Sequence, residues 1–169
     1  MCSVIVFLPS DGRFYEQVLG MQLVRISEHP MGKFTNFFLA FPAHYKMLPT
    51  KAEVEAQKSG VSPISDHQGI LELCWNWGTE HDLEFKYYSG NEEPKGFGHI
   101  AIAVDDVQAA CDRFEEMNVT FKKKPSEGSM KYIAFILDPD GILVFKIVID
   151  IRVLDRNCSK GTENRVTLR

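Results

Sequence analysis

Between Phe97 and Met117 the spacing of apolar residues changes from a period of two to a period of 3.6, and this switch constrains the fold more than any other feature. Ile100, Ile102 and Val104 alternate with His99, Ala101 and Ala103, which predicts a strand over Phe97–Val104. Asp105 is placed to cap a helix whose apolar positions are Val107, Ala110, Cys111, Phe114 and Met117. Cys111 then reads as a core residue. Strand-like pieces follow at Thr120–Lys122, Tyr132–Leu137 and Ile142–Ile149, the last two joined by the turn Asp138-Pro139-Asp140-Gly141. The order is β-α-β-β-β.

The first half reads the same way. Cys2–Leu8 alternate as a strand, Phe14, Val18 and Leu19 mark a short helix ended by Gly20, and Met21–Ile26, Phe34–Phe41 and Gly69–Trp77 supply three more strands. A polar loop, Met47–Gln68, carries a helical patch at Ala52–Lys58. Gly69-Ile70-Leu71-Glu72-Leu73 is echoed by Gly141-Ile142-Leu143-Val144-Phe145, and Leu19-Gly20-Met21 by Met117-Asn118-Val119. The expectation is an α+β fold of tandem β-α-β-β-β modules, about residues 1–90 and 96–150, in one domain over 1–150. A polar tail over 151–169 is expected to be mobile.

Charge and composition exclude several functions. Acidic residues outnumber basic ones 23 to 19, for a net charge of −4, against the basic excess that nucleic-acid contacts need. Twelve Phe and two Trp give too much apolar mass for intrinsic disorder. No apolar run reaches the roughly 18 residues of a membrane span. The run Val4–Leu8 has no basic residue before it and is too short for a secretory signal. The four cysteines (Cys2, Cys74, Cys111, Cys158) form no CxxC pair, so they are expected to be reduced thiols in a cytoplasmic protein.

Strand parity selects the residues that could do chemistry. Glu72 shares a face with Ile70, Cys74 and Asn76, opposite Leu71, Leu73, Trp75 and Trp77, whose bulk belongs in a core. His99 lies beside the small Ala101 and Ala103, which leave room above the sheet. One carboxylate and one imidazole on such faces could be half of a metal site. The alternative is a solvated strand glutamate and a hydrogen-bonded surface histidine. Lys122-Lys123-Lys124 is either an anion-binding corner or a solvated charge run, and His81, between Glu80 and Asp82, reads as surface. No Ser/His/Asp order, nucleotide-binding glycine pattern or HExxH helix is present.

Several segments resemble the glyoxalase I (lactoylglutathione lyase) family: Glu72-Leu73-Cys74-Trp75-Asn76-Trp77-Gly78-Thr79-Glu80, Gly96-Phe97-Gly98-His99-Ile100, Asp138-Pro139-Asp140-Gly141, and Phe14-Tyr15 with Val18-Leu19-Gly20-Met21. The resemblance implies the vicinal-oxygen-chelate fold, a homodimer, and isomerisation of the methylglyoxal–glutathione hemithioacetal to S-lactoylglutathione. It implies Zn2+ as cofactor, with Glu72 and His99 as metal ligands, and Asn76, Lys95 and Lys123 as glutathione contacts. Counting forward from Gly141, the family's second Glu, which is both ligand and base, falls on Phe145, with Lys146 next on the core face. The first-strand Gln falls on Met1, that strand's Arg on Ile5, and a second basic glutathione contact on Ser129. These departures leave a second reading open, a non-catalytic member of the fold that binds glutathione conjugates. A third has the chain recruit another donor such as Asp150.

Overall fold

The computed structural model describes residues 3–4, 14–42, 48–56, 69–82, 84–85, 87–88, 90–96, 98–140, 144–149 and 166–167. The chain divides into two compact units, Met1–Tyr87 and Tyr88–Arg169.

In the first unit the strands are β1 (Ser3–Val4), β2 (Gln22–His29), β3 (Phe34–Ala40) and β4 (Leu71–Asn76). They form one sheet in the order β1-β4-β3-β2, with β1 parallel to β4 and the other pairs antiparallel. The predicted strand Cys2–Leu8 is described only at Ser3–Val4; the rest lies outside the described residues. The helix between β1 and β2, Phe14–Val18, is a wide turn closed by Leu19 N–H donating to Phe14 O at 3.1 Å. It buries Phe14, Tyr15 and Val18. A second helix, Lys51–Ala56, starts one residue earlier than its apolar pattern suggests, because Thr50 and Glu53 form a capping box. Thr50 N–H donates to Glu53 Oε2 at 2.7 Å, and Glu53 N–H donates to Thr50 Oγ1 at 3.3 Å. The Thr50 backbone N–H, then its hydroxyl, holds the Glu53 carboxyl below its ordinary pKa. Leu39 and Leu73, both fully buried, lie at the centre of this unit's core with Tyr15.

The second unit holds β5 (Ala101–Val104), β6 (Phe121–Lys123), β7 (Ile133–Leu137), β8 (Val144–Ile149) and β9 (Val166–Thr167). Their order is β6-β7-β8-β5-β9. Leaving β9 aside, the first strand is again parallel to the last and antiparallel pairs complete the sheet, which is the topology of the first unit. The tandem α+β architecture is therefore present. Of the tail, Val166–Thr167 pair with Ile102 and Ala101, and its other residues lie outside the described set.

The helix Val107–Glu116 is capped by Asp106, not by the expected Asp105. Asp106 Oδ1 accepts from Gln108 N at 2.8 Å and Ala109 N at 3.0 Å, because a cap must sit one residue before the first helical position. Val107, Cys111 and Phe114 are buried, whereas Met117 is exposed. Burial pushes the Cys111 thiol pKa up, with Asp112 and Glu115 adding repulsion. The helix ends as Asn118 turns to φ 57°, and Val119 N–H donates to Phe114 O at 2.9 Å. Gly20 has φ 73° at the matching place in the first unit, so the echo of Leu19-Gly20-Met21 in Met117-Asn118-Val119 marks the same left-handed stop.

Candidate functional site

In the first unit, strand register arranges one face of the sheet in three rows. Arg25, Phe38 and Glu72 form the first, Ser27, Asn36 and Cys74 the second, and His29, Phe34 and Asn76 the third. A bulge between Leu23 and Arg25 sets this parity in β2. Arg25 lies over the Phe38 ring at 5.6 Å and His29 stacks on Phe34 at 4.4 Å. The face is polar and aromatic, while the opposite one carries Ile26, Leu39, Leu71 and Leu73, all buried.

Glu72 lies in the first row, on β4. It is half-buried, and Asn36 Nδ2 donates to its Oε1 at 2.5 Å. Sequence reasoning missed Asn36, a polar residue within an otherwise apolar run, which was the available signal. It is 9% exposed, and its Oδ1 has no hydrogen-bond partner among the described residues. A buried acceptor left dry costs about 1–3 kcal/mol. Cys74, on the same face, is buried, and desolvation foremost, then the Glu72 charge, raises its thiol pKa.

Asn76 ends β4 and is held by the turn that follows. Thr79 Oγ1 donates to Asn76 O at 2.7 Å, while Glu80 Oε2 accepts from Trp75 Nε1 at 3.1 Å and Gly78 N at 2.9 Å. Its own backbone N–H foremost, with Trp75 and Gly78 behind it, holds the Glu80 carboxyl below its ordinary pKa. Trp77 Nε1 donates to Thr35 Oγ1 at 2.9 Å. The Asn76–Glu80 segment thus builds a turn, and of its side chains only Asn76 lies on the polar face.

In the second unit His99 precedes β5 rather than lying within the predicted strand. It is half-buried, and its ring meets Phe135 edge-on at 5.7 Å. Ala101 is the partner of position 146, and position 146 of Phe135, so these three share a row. Position 145 pairs instead with the fully buried Ile136. Backbone register thus puts position 146 in the row of Ala101 and Phe135 and position 145 in the row of Ile136, and the side chains at both positions lie outside the described set.

The two candidate cations differ. Lys95 is exposed, 3.8 Å from Glu93. Lys123 shares the Phe135 row through a bulge in β6. Its Nζ donates to Met130 O at 2.9 Å, Ile133 O at 3.1 Å and Lys124 O at 3.2 Å. An ammonium has three donors, and all three are engaged in closing the loop between β6 and β7. Lys124 turns outward to Glu115 at 2.9 Å.

A zinc ion held as the resemblance implies does not fit this donor set. Glu72 and His99 carry donors, but Phe145 and Met1 stand at the other two positions, and zinc sites use three or more protein ligands. Among the described residues no group of three or more His, Cys, Asp or Glu gathers where it could hold a metal ion.

Comparison with known proteins places these observations in a wider set. Residues 13–144 match the family model of the Glyoxalase/Bleomycin resistance protein/Dioxygenase superfamily. The chain is 45% identical over 133 residues to a lactoylglutathione lyase of Pseudomonas putida, covering 78% of this chain and 72% of that one. It is 44% identical over 132 residues to the lactoylglutathione lyase of Schizosaccharomyces pombe, covering 78% of this chain but only 38% of the relative's length. Among solved structures, the trypanothione-dependent glyoxalase I of Leishmania major is similar in fold, with a TM-score of 0.62 at 23% identity, over 92% of this chain and 87% of that one. Glyoxalase I of Zea mays gives 0.57 at 27% identity, over 85% of this chain and 41% of that one.

Proposed function

Because the chain belongs to the glyoxalase/bleomycin resistance protein/dioxygenase superfamily, we propose that it acts as a lactoylglutathione lyase, taking the methylglyoxal–glutathione hemithioacetal to S-lactoylglutathione. The observation that carries this reading is the 45% identity to the Pseudomonas putida lyase, spread over most of both chains. The polar face supports it. Asn76 is fixed at the end of β4, where a glutathione amide or carboxylate would meet it, and Lys95 offers an exposed ammonium. Glu72 presents a carboxylate whose orientation Asn36 holds. Isomerisation needs a proton taken from carbon and returned to its neighbour, work suited to a positioned carboxylate.

A second reading is favoured by one observation, the mismatch between zinc and the donors present: a glutathione-conjugate binder that turns over little. The two are separated by following thioester absorbance with methylglyoxal and glutathione, and by calorimetry with S-hexylglutathione. Thioester formation at a typical enzyme rate establishes the lyase. Conjugate binding without it establishes the binder, and failure of both sinks the glutathione reading.

The same proposal includes a homodimer in the cytoplasm. Cys74 and Cys111, both free thiols, support a reducing compartment. Among the described residues no helix is long and apolar enough to cross a membrane. Sedimentation at micromolar concentration tests the dimer.

A further inference from the structure

The middle row of the polar face is Ser27, Asn36 and Cys74, and the reading above uses one atom of it, Asn36 Nδ2. Asn36 gives it direction. Asn36 Nδ2 donates to Glu72 Oε1, which sets the amide: Nδ2 faces Glu72 and Oδ1 faces away. Oδ1 is shielded from water and has no donor among the described residues. Ser27, directly across from Asn36, shares a hydrogen bond of 3.1 Å with His29 Nε2. The row thus holds one buried acceptor with a hydroxyl beside it, one amide width from the carboxylate assigned to the reacting end of the ligand.

We propose that Asn36 Oδ1, with Ser27 beside it, is a hydroxyl-reading subsite that accepts a hydrogen bond from the S-substituent of a glutathione conjugate. The chain therefore favours conjugates of hydroxylated 2-oxoaldehydes over those of purely alkyl ones. A methyl group placed there leaves Oδ1 dry and unpaired, whereas a hydroxyl satisfies it. A group that only accepts meets two oxygens, Asn36 Oδ1 and the Glu72 carboxylate, and is repelled. Sites built around a hydrogen-bonded hydroxyl reject the analogue lacking it more strongly than apolar pockets reject an added one.

This inference rests on the glutathione reading and is tested apart from it. Calorimetry on the full chain compares S-(2-hydroxyethyl)glutathione with S-ethylglutathione, which differ by one hydroxyl. The hydroxylated conjugate is expected to bind about five- to ten-fold tighter, the scale of one buried hydrogen bond. Asn36→Leu should remove that preference by weakening the hydroxylated ligand alone, and Ser27→Ala should reduce it. The wild-type pair decides even where Asn36→Leu fails to fold. Equal affinities, or tighter binding of the ethyl conjugate, overturn the subsite and leave the glutathione reading standing. Absence of binding by either conjugate overturns both.

Discussion

Replacing Lys123 by Met tests what its ammonium does. The substitution keeps an unbranched apolar stem and removes three hydrogen bonds, to the carbonyls of Lys124, Met130 and Ile133. Hydrogen bonds to charged groups contribute about 1.5–3 kcal/mol each, but these carbonyls border an exposed loop where water replaces part of the loss. The net cost is therefore about 2 kcal/mol, less than the sum. With a urea slope of about 1–3 kcal/mol per molar, the unfolding midpoint should fall by about 1 M. Far-UV circular dichroism is the appropriate probe, because Trp75 and Trp77 both belong to the first unit whereas Lys123 belongs to the second. Amide exchange over residues 124–133 should accelerate in the same variant. Affinity for S-hexylglutathione should change little. An unmoved midpoint together with a loss of conjugate binding of about ten-fold would refute this account and return Lys123 to the ligand.

Other expectations follow from the same geometry. Asp106→Ala removes the acceptor for two helix N–H groups and should cost about 1 kcal/mol, read as a fall of about 2–4 °C in melting temperature. Phe145→Glu places a carboxylate in the row of the fully buried Ile136 and should destabilise the fold by about 2–4 kcal/mol, whereas Lys146→Glu, in the row of Ala101, should be tolerated; equal effects in chemical denaturation would contradict the register. Burial raises the native thiol pKa of Cys74 and Cys111, so above about pH 8.5 the unfolded chain ionises first. Stability from this source is whole below that pH and declines as pH rises toward the native values. Mutating both cysteines to Ala should flatten the slope of unfolding free energy in that window.

Much of the fold was legible because it is written in short-range periodicity. The strands β2, β3 and β4 and the helix Val107–Glu116 each announce themselves by alternation or by i, i+3, i+4 spacing, and Gly20 and Asn118 mark the stops. Boundaries were less legible. Asp105 and Asp106 are both good caps by composition, and only the hydrogen bonds distinguish them. The site was legible where a residue's identity matters and hidden where pairing decides. Glu72, Asn76 and His99 follow from motif and parity, and the structure places each one on a described segment. The rows in which positions 145 and 146 fall depend on how the backbone of β8 aligns with β5 and β7, which counting along the chain cannot give. Asn36 was hidden for the same reason, since its partner is 36 residues away. Lys123 was read through the resemblance as a glutathione contact, and the carbonyls it meets, up to ten residues further along the chain, could not be seen from its place in a run of three lysines.

The parallel pairing of the first strand with the last in each unit sets an order of assembly. The β2–β3 hairpin joins neighbouring segments and can close as soon as both are made. By contrast, β1 and β4 lie about 70 residues apart in sequence, so that ladder must bridge a long loop whose closure entropy grows with the logarithm of its length. During synthesis Ser3–Val4 leaves the ribosome well before β4, the strand it pairs with, exists. In the second unit the interval from β5 to β8 is nearer 45 residues, and the waiting time is correspondingly shorter. A nascent chain arrested before Leu71 would therefore hold an orphan first strand, and its exposed edge is where chaperone binding or misassembly would begin.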